Sequence, residues 1–304
     1  MEDCERFVRK ANDGVELQCY HWPVEEPRAV VVLVHGMAEH ALRYGAFARR
    51  LNDAGFAAAA LDLRGHGRMG QGGLRGDFGP GGWRAVVEDV HDLCRWAGEQ
   101  YPGRPVALFG HSMGSMFACA AMETFGSELG AVALCGVTVD LPVRRAVAPA
   151  IARVLGALQG RQKPSAPLHA MTFGAFNKAF RPTRTPFDWL SRDPAEVDDY
   201  AADADCGYAC TAAFYEQVAR MLLFTLRGAH VERIPRALPI LLVSGGDDPV
   251  GNFGDAGRAL LRQYQQMGLC VRLILYPQAR HVLLGETNRD EVMGDLVDFY
   301  QDAL

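Results

Sequence analysis

The stretch Val106-Ala107-Leu108-Phe109-Gly110-His111-Ser112-Met113-Gly114-Ser115-Met116-Phe117 decides the reading of this chain. A short apolar run closes on Gly-His-Ser-Met-Gly, and a small-residue segment follows. This is G-x-S-x-G where a strand turns into a helix. A sharp turn there lifts a serine hydroxyl to the carboxyl end of a parallel strand, and the flanking glycines leave room for strained backbone. The following helix starts at the serine, so its free N–H groups and positive end face the reaction centre. An ordinary strand–helix turn can carry the same five residues. What separates the two readings is whether the chain supplies a histidine, an acid and an oxyanion donor in suitable places.

Outward from Ser112 the pattern is strand–helix alternation. Phe7 to Trp22 reads as two short strands around the hairpin signal Asn12-Asp13-Gly14. Ala29 to Val34 is a continuous β-branched run, as in a strand covered on both faces. A helix over Tyr44–Ala54, a strand over Phe56–Leu61, a helix over Trp83–Gln100, the elbow strand, a helix over Ser112–Phe125 and a strand over Ala131–Cys135 follow. From about Val137 to Arg236 no buried strands appear. Amphipathic helical segments replace them, such as Val143–Leu158 and Cys210–Leu226. Alternation resumes with strand Ile240–Ser244, helix Asp255–Met267, strand Cys270–Tyr276 and helix Glu286–Tyr300. The pattern predicts an α/β fold, a mostly parallel sheet with helices on both faces. Its core is expected in residues 1–136 and 237–304, with 137–236 a helical cap insertion. Ligands bind at the carboxyl edge of such sheets, so the cap should roof the site.

Composition bounds the function. At 304 residues, one large domain or a core with an insertion is expected. The net charge of −5 argues against a general nucleic-acid binder. The start, Met1-Glu2-Asp3-Cys4-Glu5-Arg6, is acidic and lacks the apolar core of a secretory signal. No apolar run is long enough to span a bilayer. A cytoplasmic location is expected, with membrane contact at most transient and at the surface. The eight cysteines are scattered and read as reduced, mostly buried thiols. Cys206 and Cys210 are the closest pair and on a helix would share one face. No zinc-type spacing and no Walker-type lysine loop appears. The glycine-rich loop Gly70–Gly82 lacks a full G-x-G-x-x-G, which rejects dinucleotide binding.

The serine needs a base. His281 follows strand Cys270–Tyr276 through Pro277-Gln278-Ala279-Arg280, and so sits in a loop at the carboxyl end of the last strand. His111 adjoins the serine, but its side chain should point elsewhere, as a packed or hydrogen-bonded turn residue. His21, His91, His169 and His230 read as surface or core residues. An acid is expected in the loop after Ile240–Ser244, where Gly245-Gly246-Asp247-Asp248-Pro249 offers two. Spacing alone does not choose between them. The order serine, acid, histidine is that of the α/β-hydrolase fold. Two oxyanion donors are expected: the amide of Met113, directly after the serine, and that of Met37 in the loop His35-Gly36-Met37.

These residues carry a resemblance. His35-Gly36-Met37-Ala38-Glu39-His40, followed by Arg43-Tyr44, resembles the H-G-x-x-E-H of the monoacylglycerol lipase and lysophospholipase branch of α/β-hydrolases. Asp62-Leu63-Arg64-Gly65-His66-Gly67 resembles its D-x-x-G-H-G. Asp248-Pro249-Val250-Gly251 and Ala279-Arg280-His281-Val282-Leu283-Leu284-Gly285-Glu286 resemble its acid and histidine loops. The likeness implies a serine hydrolase with a helical cap and no cofactor or metal, and it selects Asp248 as the acid. Proline at 249 also restricts the residue before it, which helps fix that carboxylate. Met37 stands where the lipase proper carries a smaller residue, so the amide role is kept and the pocket wall changes. Arg144-Arg145 and the Cys206 region match no recognisable lipase lid.

The expected activity is cleavage of small esters with an apolar acyl chain, of monoacylglycerol or lysophospholipid type, through an acyl-enzyme on Ser112. Acyl transfer, aminopeptidase action and a non-catalytic small-molecule receptor are the alternatives on the same framework. Cap aromatics such as Phe173, Phe176, Phe180, Phe187, Phe214 and Tyr215 are expected to roof an apolar pocket or pack the cap's own core. Asp198, Asp199, Asp203 and Asp205 read as a solvated acidic face rather than an amine site.

Overall fold

The computed structural model describes residues 4–71, 75–138, 142–225 and 227–304, with 142–146 as backbone alone. Met1–Asp3, part of the glycine-rich loop at 72–74, Leu226 and the side chains of Arg144 and Arg145 lie outside the described residues. The chain opens with β1 (Glu5–Lys10) and β2 (Glu16–Trp22), joined by the Asn12-Asp13-Gly14 turn. Then come β3 (Val30–Val34), α1 (Gly45–Asp53), β4 (Ala57–Leu61), α2 (Gly82–Gln100), β5 (Val106–His111), α3 (Met113–Phe125) and β6 (Ala131–Cys135). Helices α4 (Pro142–Gln159), α5 (Ala166–Phe173), α6 (Pro194–Ala202), α7 (Ala212–Thr225) and α8 (Gly228–Val231) intervene. The chain ends with β7 (Ile240–Gly245), α9 (Asp255–Gln266), β8 (Val271–Tyr276) and α10 (Arg289–Ala303).

The eight strands form one sheet in the order β1-β2-β4-β3-β5-β6-β7-β8. β1 and β2 are antiparallel at one edge, β2 runs antiparallel to β4, and all later pairings are parallel. The alternation of β3 explains its unbroken apolar run. Val30, Val32 and Val34 face a hydrophobic cluster with α2, α3 and α7, whereas Val31 and Leu33 face one with α1 and α10. Both faces are dry, so no position on the strand tolerates a polar side chain. Full burial of each such residue contributes roughly 1.5–3 kcal/mol.

Two local differences from the sequence reading have physical causes. Cys206 and Cys210 lie in the turn between α6 and α7, not on a helix. Cys210 enters the main core while Cys206 packs with Trp189, Leu190 and Tyr200. The last helix begins at Arg289 rather than Glu286, because the fully buried Glu286 carboxylate is engaged by the Arg280 and Arg192 amides and the Arg192 guanidinium. Within the segment between β6 and β7, α7 shares the main core. Phe214 meets Phe78 with ring centroids 4.5 Å apart, and Phe78 meets Phe117 of α3 at 5.6 Å. Glu216 of α7 receives Arg153, Arg161 and Arg220, which ties α4 and the following turn down onto α7.

Glu123, near the end of α3, is 2 % exposed, and neither carboxylate oxygen has a partner among the described residues. Burial pushes its carboxyl from 4.5 up to about 9, with Arg233 opposing. The folded state therefore holds this proton more tightly than the unfolded chain, and stability declines as pH rises through that interval. Relative to Glu123→Gln, the wild type should lose up to about 1.4 kcal/mol per pH unit across it. Denaturant unfolding should find the variant equal to wild type at acidic pH and more stable under mildly alkaline conditions. A difference that does not vary with pH contradicts this.

Candidate active site

β5 ends against α3 so abruptly that Ser112 takes φ 53°, ψ −116°. A non-glycine residue in such a conformation costs on the order of 1–3 kcal/mol and persists only when its surroundings enforce it. Here Ser112 N–H donates to the Cys135 carbonyl at 2.8 Å. The helix then folds back so closely that a Cβ at Gly114 would strike the Val34 carbonyl oxygen, and one at Gly110 would strike that of Gly114. Only glycine fits either position.

The turn presents Ser112 Oγ 2.8 Å from His281 Nε2. On the far side of the ring, Nδ1 lies 2.9 Å from Asp248 Oδ2. With the Asp248 carboxylate accepting from Nδ1–H, Nε2 is left to accept from the serine hydroxyl. Asp248 is 1 % exposed and His281 is 3 % exposed, so water does not compete for this contact. The Val250 amide donates to the other Asp248 oxygen at 2.8 Å and fixes its rotamer. Asp247 points into solvent. The loops after β5, β7 and β8 thus bring Ser112, Asp248 and His281 together, as their positions in the sequence imply.

The loop after β3 supplies the remaining parts. Gly36 abuts the Ser112 side chain, since a Cβ there would come 3.3 Å from Ser112 Cβ. Met37 lines the cavity beside Ser112, and Met113 is the first residue of α3. Among the described residues neither amide donates to a protein acceptor. Glu39 holds this loop in shape: its carboxylate accepts from Gly36 N–H at 2.5 Å and Tyr44 O–H at 2.7 Å, and faces His111 Nδ1 at 3.2 Å. Burial alone would raise the Glu39 carboxyl, but His111 and the Arg43 guanidinium hold it well below the usual carboxylate range. The other ring nitrogen of His111 faces the His281 carbonyl at 3.3 Å. His111 is therefore a hydrogen-bonded turn residue that braces the histidine loop. His35 Nε2 accepts from the Leu63 amide at 2.9 Å, which suits a neutral ring, and burial pushes its pKa down to about 4.

The cavity over Ser112 has a volume of only about 20 Å³. Its apolar walls include Met37, Phe173, Trp189, Leu190 and Val282. Trp189 lies with its ring centroid 5.4 Å from that of His281. The segment around α6 is bonded to both functional loops. Tyr200 O–H and Gly207 N–H donate to the Ala38 carbonyl at 3.0 and 2.9 Å, Arg43 pairs with Glu196, and Val282 N–H donates to Leu190 at 2.7 Å. The acids expected as a solvated face are largely paired: Asp198 with Arg184, Asp203 with His40 and Asp205 with Arg75. Sequence reasoning quoted Glu39 only as part of a motif and passed over Trp189 and Tyr200. For Glu39 the signal was its spacing of three from Gly36, which lets a side chain reach back to that amide.

An eight-stranded, mostly parallel sheet with a serine elbow after β5 defines an α/β-hydrolase. The chain belongs to the family described as serine aminopeptidase, S33, whose model matches residues 25–288. It is 32 % identical over 290 residues to a monoacylglycerol lipase of Mycolicibacterium smegmatis, covering 94 % of this chain and 93 % of that one. It is 29 % identical over 280 residues to monoglyceride lipase of Homo sapiens, covering 89 % and 81 %. A thermostable carboxyl esterase from Bacillus coagulans matches with a TM-score of 0.92 at 29 % identity, covering 100 % of this chain and 99 % of that one. Fold, family and relatives together make the chain a carboxylic ester hydrolase.

Separate asparagine substitutions at the two neighbouring acids test the site geometry. Asp248→Asn should lower kcat by on the order of 10⁴-fold, because the amide turns His281 to the wrong tautomer. Asp247→Asn should leave steady-state ester hydrolysis within about twofold, as a solvent-facing change usually has little effect. Greater damage at Asp247 contradicts the assignment.

Proposed function

We propose that the protein hydrolyses esters with an apolar acyl chain, of monoacylglycerol or lysophospholipid type, through an acyl-enzyme on Ser112. The observation that carries this reading is the buried hydrogen-bonded chain from Ser112 Oγ through His281 to Asp248, at 2.8 and 2.9 Å. His281 Nε2 takes the hydroxyl proton as Ser112 Oγ attacks the ester carbonyl. Asp248 holds the ring and stabilises its charged form. The Met37 and Met113 amides receive the tetrahedral oxyanion. His281 then gives its proton to the leaving alcohol, and water repeats the cycle on the acyl-enzyme.

The apolar walls support the substrate class, as do the relatives named monoacylglycerol or monoglyceride lipase. A volume of about 20 Å³ suits roughly one water, not an acyl chain. That supports a cap within residues 137–236 whose part over Ser112, around Phe173 and Trp189, moves aside to admit substrate while α7 stays in the main core. On its outer side α4 carries Val147, Ile151, Val154 and Leu158 at a spacing that shares one helix face, all exposed, and Met171 of α5 is exposed as well. This apolar stripe supports transient contact with a membrane surface. No helix among the described residues is long and apolar enough to cross one. Eight free cysteines, six of them buried, support a reducing, cytoplasmic setting. Aminopeptidase action, which the family's description suggests, finds no available acid at the cavity among the described residues. Glu39 is the acid on its wall, and its carboxylate is already committed to Gly36, Tyr44 and Arg43.

The test is a series of p-nitrophenyl esters of increasing chain length beside an aminoacyl anilide, with Ser112→Ala as control. kcat/KM should rise about fourfold per methylene until the pocket fills, from ~0.8 kcal/mol per buried methylene. Ser112→Ala should remove turnover by on the order of 10⁶-fold. A flat ester profile with strong anilide cleavage contradicts the lipid-ester reading and favours the peptidase.

A further inference from the structure

We propose that His40, Asp203 and Cys206 form a zinc-binding site that joins the loop after β3 to the segment following α6. The imidazole nitrogen, carboxylate oxygen and thiol sulfur all lie within 4.8 Å of one another. His40 Nε2 is 2.8 Å from Asp203 Oδ2. Zinc binds this mixture of nitrogen, oxygen and sulfur at about 2.0–2.3 Å, so an ion seated among the three replaces the direct His40–Asp203 bond with two bonds to metal. Water completes the fourth position. A thiolate in the set disfavours magnesium and calcium, which take oxygen ligands.

The donors are held before any ion arrives. Asp203 and Cys206 share one tight turn, in which Cys206 N–H donates to the Asp203 carbonyl at 3.1 Å. The Asp205 amide donates to Asp203 Oδ1 at 2.8 Å and leaves Oδ2 turned toward His40. Gly207 N–H donates to the Ala38 carbonyl at 2.9 Å, which fixes the whole turn against the His40 loop. His40 is partly exposed, which gives an ion its entry path, while Cys206 backs the site at 9 % exposure. Burial, with Asp203 and Glu39 nearby, holds the thiol above its ordinary range despite Arg43.

Occupancy cross-links the Met37 loop to the α6 segment and slows turnover. That consequence rests on Met37 as an oxyanion donor and on a cap that moves, whereas the binding claim does not. The test titrates the purified full chain with Co²⁺ as a spectroscopic probe, then competes with Zn²⁺, and follows ester turnover in parallel. Wild type should develop a thiolate-to-metal charge-transfer band that Zn²⁺ removes, and Zn²⁺ should raise its Tm. Cys206→Ser and Asp203→Asn should each weaken binding at least about tenfold, in line with the loss seen when metal-site residues are altered. Metal-free turnover of Cys206→Ser should equal wild type, and Zn²⁺ should slow the wild type alone. Absence of the band in wild type, or an equal band in Cys206→Ser, overturns the site. Zinc binding with unchanged turnover keeps the site and overturns its effect on catalysis.

Discussion

Everything else in this molecule depends on the backbone of Ser112, held at φ 53°, ψ −116° between β5 and α3. The strain is sustained by packing that leaves no alternative. Gly114 lies against the Val34 carbonyl, Gly110 against that of Gly114, and the Ser112 amide is bonded to Cys135 of the next strand. Because β3, β5 and β6 are buried on both faces, none of these partners can yield. The sheet supplies the rigidity, and the rigidity places one hydroxyl within 0.1 Å of the same distance from His281 as His281 keeps from Asp248, 2.8 against 2.9 Å.

A second set of bonds lies behind the reacting atoms. Glu39 gathers Gly36, Tyr44, Arg43 and His111 around one buried carboxylate. His111 passes that constraint to the backbone of His281. The loop beside the serine and the histidine loop are therefore parts of one network, and the α6 segment joins it through Tyr200, Gly207 and Leu190. Such a network is worth more than separate pairwise bonds, because one unpaired member in a dry interior is costly.

Much of this was legible in the chain because it is local. G-x-S-x-G, the β-branched run of β3 and the loops ending at Asp248 and His281 each sit at a strand end, where period and turn chemistry are read over a few residues. The choice between Asp247 and Asp248 was not local, since it turns on which carboxylate the sheet directs inward. The carboxylates at 203 and 205 were read as solvated because their partners, His40 and Arg75, stand next to them only after folding, whereas Asp198 stays exposed even in its pair with Arg184. Cys206 and Cys210 suggested a shared helix face because a spacing of four fits one, but the turn between α6 and α7 sends them to different clusters. The cluster of His40, Asp203 and Cys206 was invisible for the same reason, with 163 residues separating its first two members.

The central claim is that Ser112 is the nucleophile, and covalent labelling measures it most directly. The intact protein is treated with a fluorophosphonate, and the modified peptide is located by mass spectrometry while residual ester hydrolysis is followed. The account predicts one phosphonyl group per chain, carried on Ser112, with activity falling in step with labelling. Labelling at a different residue with the same loss of activity, or full labelling of Ser112 with hydrolysis unchanged, would contradict it.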